Sequence, residues 1–136
     1  MVTRGTGGAR SLSERRAAVE PEPKAVPILF GQQIDLVRRY VAALSVEGEA
    51  RGLIGPLERE RIWSRHILNC AAPADLLVGR VADVGSGAGL PGLVLAMLRP
   101  ELEFTLIEPM ERRVAWLEEQ RAALELGNVR IHRGRA

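Results

Sequence analysis

From Ile28 onward the apolar residues recur with a helical period. Phe30, Ile34, Val37, Val41 and Leu44 are spaced 4, 3, 4 and 3 residues apart, which puts them on one face of a helix that Gly48 and Gly52 end. Pro56 suits the first turn of a second helix, in which Trp63, His66, Ile67 and Cys70 share a face before Pro73 closes it. The period then changes. Arg80-Val81-Ala82-Asp83-Val84 is a short apolar run that stops at Gly85. Residues 91–98 are apolar on most sides, as befits a helix packed on a sheet. Glu103 to Glu108 encloses Phe104, Thr105, Leu106 and Ile107 and reads as a second strand. A helix over 111–126 carries Val114, Leu117, Arg121 and Leu124 on one stripe, with Gly127 as its stop, and Val129 to His132 begins a third strand.

Strand, helix, strand, helix, strand with nearly continuous apolar strands implies an α/β fold, a parallel sheet with helices on its faces. Three segments are expected: a flexible tail over 1–26, where Gly, Arg, Ser, Glu and Pro mix without periodicity; an N-terminal helical segment over 27–75; and a partial sheet domain over 76–136. In a doubly wound sheet of order 3-2-1-4-5 the first strand is central. Three strands alone would leave it as an apolar edge, an aggregation liability. The chain is therefore expected to be a fragment of a longer protein, or half of something a partner completes.

Charge changes this picture little. The chain has 19 basic and 17 acidic residues and a formal net charge of +2. Residues 1–27 hold five bases against three acids and the rest is balanced, so a bulk polyanion-binding field is not indicated. Cys70 alone excludes an internal disulfide and any cysteine-based zinc knuckle, and no metal site is expected. The longest uncharged run, residues 84–98, is short of the roughly 20 apolar residues of a membrane span and holds four glycines and a proline. With no secretory signal visible, a soluble, cytoplasmic chain with no membrane partner is expected.

The chemistry concentrates in Asp83-Val84-Gly85-Ser86-Gly87-Ala88-Gly89-Leu90-Pro91-Gly92. Alternating glycines directly after a strand permit positive φ and close approach of a ligand to the backbone, and the amides opening the next helix are expected to face the bound group. Glu108 ends the second strand, 23 residues after Gly85, where a carboxylate can accept hydrogen bonds from both hydroxyls of a ribose; otherwise it is a solvated strand-end glutamate. Gly87, Gly89 and Gly92 satisfy the dinucleotide spacing, but they begin two residues beyond Gly85, with Pro91 where the helix starts. An acid, one residue, then Gly85, Gly87 and Gly89 fits an S-adenosylmethionine site directly.

That segment resembles the first motif of the bacterial small-subunit ribosomal RNA guanine-N7 methyltransferases, the glucose-inhibited division protein B family. Arg65-His66-Ile67-Leu68-Asn69-Cys70 resembles the family's Arg-His helix signature. Glu108-Pro109 with Arg112, Arg113 and Leu117 resembles its second strand and helix, and Arg133-Gly134-Arg135-Ala136 the start of its Arg-Ala/Val-Glu motif. The similarity covers about residues 28–136. Arg51-Gly52-Leu53-Ile54-Gly55-Pro56 departs from the aromatic-Asn and Asn-Leu-Thr pattern of many members, and the Glu expected after Ala136 and the fourth-strand region are missing.

The resemblance implies a partial class I, Rossmann-like methyltransferase fold behind an N-terminal helical cap, with S-adenosylmethionine as cofactor and small-subunit ribosomal RNA as partner. Gly85 and Leu90 would line the cofactor pocket, Ala136 would reach the adenine through its backbone, and Glu108 would accept the ribose. Gly87 and Gly89 belong to the same loop, which Asp83 would order. Guanine N7 carries a lone pair and no proton, so methyl transfer needs alignment rather than a general base. Arg112, Arg113, Arg135 and His66 are the RNA-binding candidates. The plainer readings are a solvated helix face for Arg112 and Arg113, a surface strand end for Arg135, and a satisfied, partly buried histidine for His66. Two rival functions remain: a non-catalytic fragment that binds cofactor or RNA, and an NAD-dependent oxidoreductase half-domain.

Overall fold

The computed structural model describes residues 18–135. Most of the expected tail, residues 1–17, and the Ala136 backbone contact lie outside the described residues.

Strands β1 (Arg80–Val84), β2 (Glu103–Glu108) and β3 (Val129–Arg133) form a parallel sheet in the order β1-β2-β3. Arg80 is in register with Glu103 and Val84 with Ile107, while Phe104 faces Val129 and Glu108 faces Arg133. In β2, Phe104 and Leu106 are buried and Thr105 and Ile107 half-buried, as expected of a strand covered on both faces. β1 lies at one edge, with Arg80, Ala82 and Val84 exposed.

The sheet's helices account for the buried apolar runs. Helix α4 (Gly92–Leu98) buries Leu93, Val94, Leu95, Ala96 and Met97, so its apolar surround matches its position inside the molecule. Helix α5 (Glu111–Ala123) buries Trp116, Leu117 and Gln120, with Leu124 and Leu126 following. This rotates the expected stripe: Val114 and Arg121 are only half-buried. Nor is Gly127 the stop. The left-handed residue is Glu125 (φ 53°), and the Leu126 amide donates to the Arg121 carbonyl (3.0 Å) and the Glu125 amide to that of Ala122 (3.2 Å). That pair of bonds is a Schellman ending, usually built on glycine.

The N-terminal helical region differs from its expectation in three places. The single helix expected from Ile28 is two, α1 (Ala25–Phe30) and α2 (Ile34–Glu47), separated by a 3₁₀ turn where Gly31 takes φ 51°. The last residues of the expected tail are held. Glu20 accepts from the Trp63 and Ser64 amides (2.9 and 2.8 Å), Glu22 pairs with Arg38 at 2.7 Å, and α1 begins at Ala25, inside the expected tail. The second expected helix is a 3₁₀ turn (Glu58–Arg61), a π-helical stretch (Ile62–Ile67) and a short α3 (Leu68–Ala71). The wider π turn buries Ile62, Trp63, Ile67 and Ala71 and leaves His66 and Cys70 half-buried.

Candidate functional site at the carboxyl ends of the strands

The glycine turn connects β1 to α4, at the carboxyl end of the sheet where open α/β folds bind their ligands. Gly85, Gly87 and Gly89 all have positive φ, at 74°, 55° and 101°. They divide by what surrounds them. A Cβ on Gly85 would meet nothing within 4 Å, and one on Gly87 only the Gly85 carbonyl oxygen at 4.0 Å. Gly89 is buried, and a Cβ there would collide with the Leu93 side chain. Gly92 is buried too; its Cβ would lie 2.6 Å from Asp83 Oδ2 and 3.0 Å from Leu106 Cγ. The first two glycines leave open space and the last two permit packing.

The amides of this turn do not point outward as expected. Gly85 and Ser86 donate to the Ile107 carbonyl (2.8 and 3.2 Å), and Gly89 to that of Ser86 (2.8 Å). Gly87 donates to Glu108 Oε1 at 2.9 Å and Gly92 to Asp83 Oδ2 at 3.1 Å. Leu93, in the first turn of α4, donates to the Gly89 carbonyl (2.8 Å). The physical reason is economy of donors: a tight turn wedged between strand and helix satisfies its own amides first. What it presents is uncovered backbone at Gly85 and Gly87.

Glu108 ends β2 with a residue exposure of 2 %. Its carboxylate accepts from the Gly87 amide and, at 2.7 Å, from the Met110 amide. It is therefore not a solvated strand-end acid; it ties the glycine turn to the start of α5. A carboxylate has about four lone-pair directions, so two remain after these bonds. Arg113 Nη1 lies 4.0 Å from Glu108 Oε1, and Arg113 Nε is buried with no hydrogen-bond partner.

Asp83 is half-buried, its carboxylate receiving the Gly92 amide while its carbonyl accepts from Ser86 Oγ at 2.9 Å. Burial pushes its pKa above the ordinary carboxylate range, against the opposing hydrogen bonds. Leu90 is half-buried at the end of the turn.

The turn is also held from outside, by residues that sequence reasoning did not single out for this role. Tyr40 of α2 donates its hydroxyl to the Ala88 carbonyl at 2.8 Å, and Trp116 of α5 donates its indole N–H to the same oxygen at 2.9 Å. Both side chains are fully buried. The signal was there: a tyrosine at a core-facing position between Val37 and Leu44 must find a partner for its hydroxyl. Arg51 stacks on the Trp116 ring at 5.2 Å and pairs with Glu119 at 2.5 Å.

The cationic candidates do not form one cluster. Arg112 and Arg135 are exposed, with Arg112 beside Gly52, and Arg113 is half-buried against Glu108. His66 is half-buried and bonded to Glu58 within its own segment. A cavity of about 500 Å³ lies at the other end of the strands, lined by Gln33, Leu36, Met97, Glu101 and Asn128, away from the glycine turn. Among the described residues no helix is long and apolar enough to cross a membrane.

Residues 33–136 match the family model described as rRNA small subunit methyltransferase G. The chain is 60 % identical over 119 residues to the ribosomal RNA small subunit methyltransferase G of Clavibacter michiganensis subsp. michiganensis, covering 87 % of this chain and 56 % of that protein. It is 61 % identical over 120 residues to the protein of the same name from Leifsonia xyli subsp. xyli, covering 88 % and 57 %. With the Salinispora arenicola protein, also of that name, it shares 54 % over 115 residues, 82 % of this chain and 48 % of the relative. The chain thus spans about half the length of the curated relatives it matches.

Proposed function

The chain belongs to the ribosomal RNA small subunit methyltransferase G family, and from that premise we propose that it forms the cofactor-binding part of an S-adenosylmethionine-dependent enzyme that methylates guanine N7 of small-subunit ribosomal RNA. The observation that carries this reading is the pairing of an uncovered Gly85–Gly87 turn with the Glu108 carboxylate 2.9 Å from the Gly87 amide. A nucleoside suits such a site: open backbone at Gly85 and Gly87, and an acceptor at the strand end for a diol. Arg113 stands next to that acceptor, its Nη1 4.0 Å from Glu108 Oε1.

Bound S-adenosylmethionine supplies a methyl group on a sulfonium, ready for displacement by a lone pair. The residues of this chain then bind and orient. Gly85 and Gly87 admit the nucleoside, and Leu90 flanks it. Glu108 accepts the ribose hydroxyls on the lone pairs left free by its bonds to the Gly87 and Met110 amides. Gly89 and Asp83 act one step back, Gly89 by admitting Leu93 and Asp83 by fixing Gly92. Since N7 has no proton to lose, no residue here is assigned as a base. Exposed Arg112 and Arg135 meet RNA phosphates, and His66 steadies its own segment through its bond to Glu58. The organisation that follows is a helical segment that begins at Ala25, two residues ahead of the expected 27–75, bracing a sheet domain over 76–136, in a protein working where ribosomes are assembled, in the cytoplasm.

A second reading keeps the binding and drops the transfer. It is favoured by Val84, 60 % exposed on the edge strand next to the turn, which leaves that side of the turn open to solvent among the described residues. Incubation of the chain with radiolabelled S-adenosylmethionine and undermethylated small-subunit RNA separates the two. Label in RNA that becomes cleavable after borohydride and aniline treatment, which is specific to N7-methylguanine, supports transfer. Retention of nucleoside without label in RNA supports binding alone.

A further inference from the structure

The Ala88 carbonyl is 28 residues from Trp116 and 48 from Tyr40, yet it accepts from both, at 2.9 and 2.8 Å. Its surroundings make this more than core satisfaction. Ala88 stands between Gly87 (φ 55°) and Gly89 (φ 101°), neither of which has a side chain to fix the peptide planes on its two sides; within the turn, the plane of the Ala88 carbonyl is held by the Gly89 amide's bond to the Ser86 carbonyl. A carbonyl oxygen has two lone pairs, and here each has a donor. One donor comes from α2, the other from α5, and both side chains are fully buried, so neither can exchange its bond for water. Ala88 itself is buried at 7 % exposure, while adjacent Gly87 and Gly85 are the open positions. The clamp therefore acts on the hidden link of the turn whose uncovered links form the binding surface.

We propose that Tyr40 and Trp116 are positioning residues that hold the glycine turn in its binding-competent shape without touching the cofactor, which makes α2 of the N-terminal helical region part of the cofactor site. The inference rests on the reading of the turn as the nucleoside site. Its consequence is physical: a turn flanked by glycines and released from its clamp samples other shapes, and the affinity for any ligand falls with the fraction of molecules in the right one.

Tyr40→Phe removes one donor and keeps the ring. Val37→Ala, one turn earlier on α2 and fully buried, removes core volume but no bond to the turn. The test compares both variants with wild type in three measurements on the 136-residue chain: melting temperature, S-adenosylhomocysteine affinity by calorimetry, and hydrogen exchange of the Gly87 and Gly89 amides without ligand. We expect Tyr40→Phe to weaken binding about three- to tenfold, the worth of one hydrogen bond, and to speed exchange of those two amides by a similar factor. Val37→Ala should lower the melting temperature further yet keep affinity within about twofold. Unchanged affinity and exchange in Tyr40→Phe, or an equal loss of affinity in Val37→Ala, would overturn the proposal. If wild type binds nothing, the nucleoside-site reading fails, and the exchange measurement decides the clamp alone: faster exchange in Tyr40→Phe upholds it and unchanged exchange overturns it.

Discussion

At Gly92 the need for glycine is steric, whereas at Gly85 it is conformational. A methyl group at Gly92 would press on the Asp83 carboxylate and Leu106 in a filled interior, so Gly92→Ala should cost about 1–3 kcal/mol of stability in urea unfolding. At Gly85 the space is open and only the positive φ resists, at about 1–2 kcal/mol. Gly85→Ala should therefore unfold closer to wild type while losing more nucleoside affinity than its stability loss explains. Asp83 makes a pH prediction. Burial raises its pKa, so the folded state holds its proton at pH values where the unfolded state has lost it, and stability falls as pH rises from 3.8 through the raised value. Asp83→Asn still accepts from Gly92 through its amide oxygen and carries no charge to desolvate. Its melting temperature relative to wild type should rise near neutral pH, and the difference should shrink in acid. Cys70 is pushed up to about 11 by burial, which leaves about one thiol in a thousand ionised at pH 8. A thiol-disulfide reagent should modify it far more slowly in the folded chain than in urea. Residue by residue, the sequence marked the glycines and Glu108 clearly, because backbone freedom and a strand-end acid are local properties. It could not separate the open glycines from the packed ones, nor reveal the Ala88 clamp, since those depend on what α2 and α5 bring across the fold.

Elements were legible where pattern and packing agree. Strand β2 extends one residue beyond each end of its run Phe104 to Ile107, from Glu103 to Glu108 as the sequence marks it, because both faces are covered. The helices were less so. The apolar stripe runs across Gly31 without a break in period, but the left-handed backbone there splits the helix in two. In residues 62–67 a π-helical turn changes which residues share a face, and a 3.6-residue period cannot anticipate that. The end of α5 went to the wrong residue for a clear reason: glycine is the usual left-handed cap, and here Glu125 takes the position with Gly127 nearby. Glu125 is exposed and keeps that conformation only because the Schellman bonds demand it. Glu125→Gly should therefore stabilise the chain by about 0.5–1 kcal/mol, read as a higher urea midpoint. No change, or a loss, would mean that the Glu125 side chain contributes at that corner.

At the scale of the molecule, two layers meet at one turn. Helix α2 reaches the glycine turn through Tyr40, α5 reaches it through Trp116, and β2 reaches it through Glu108. The N-terminal region is thereby more than a cover over the sheet, a relation that no segment of the sequence displays on its own. The parallel sheet and its edge strand were readable from the order of elements; the anchoring of residues 20–26 was not, because Glu20 and Glu22 bind partners far along the chain. The central claim is that the carboxyl end of this sheet binds a nucleoside through the open turn and Glu108. Calorimetric titration of the 136-residue chain with S-adenosylhomocysteine, beside its Glu108→Gln variant, tests it most directly. Binding in the micromolar range is expected for the wild type and at least tenfold weaker binding for a variant that still melts cooperatively, since the amide replaces an acceptor oxygen with a donor. A folded wild-type chain that binds nothing at millimolar ligand, or a variant that binds as well as wild type, would contradict it.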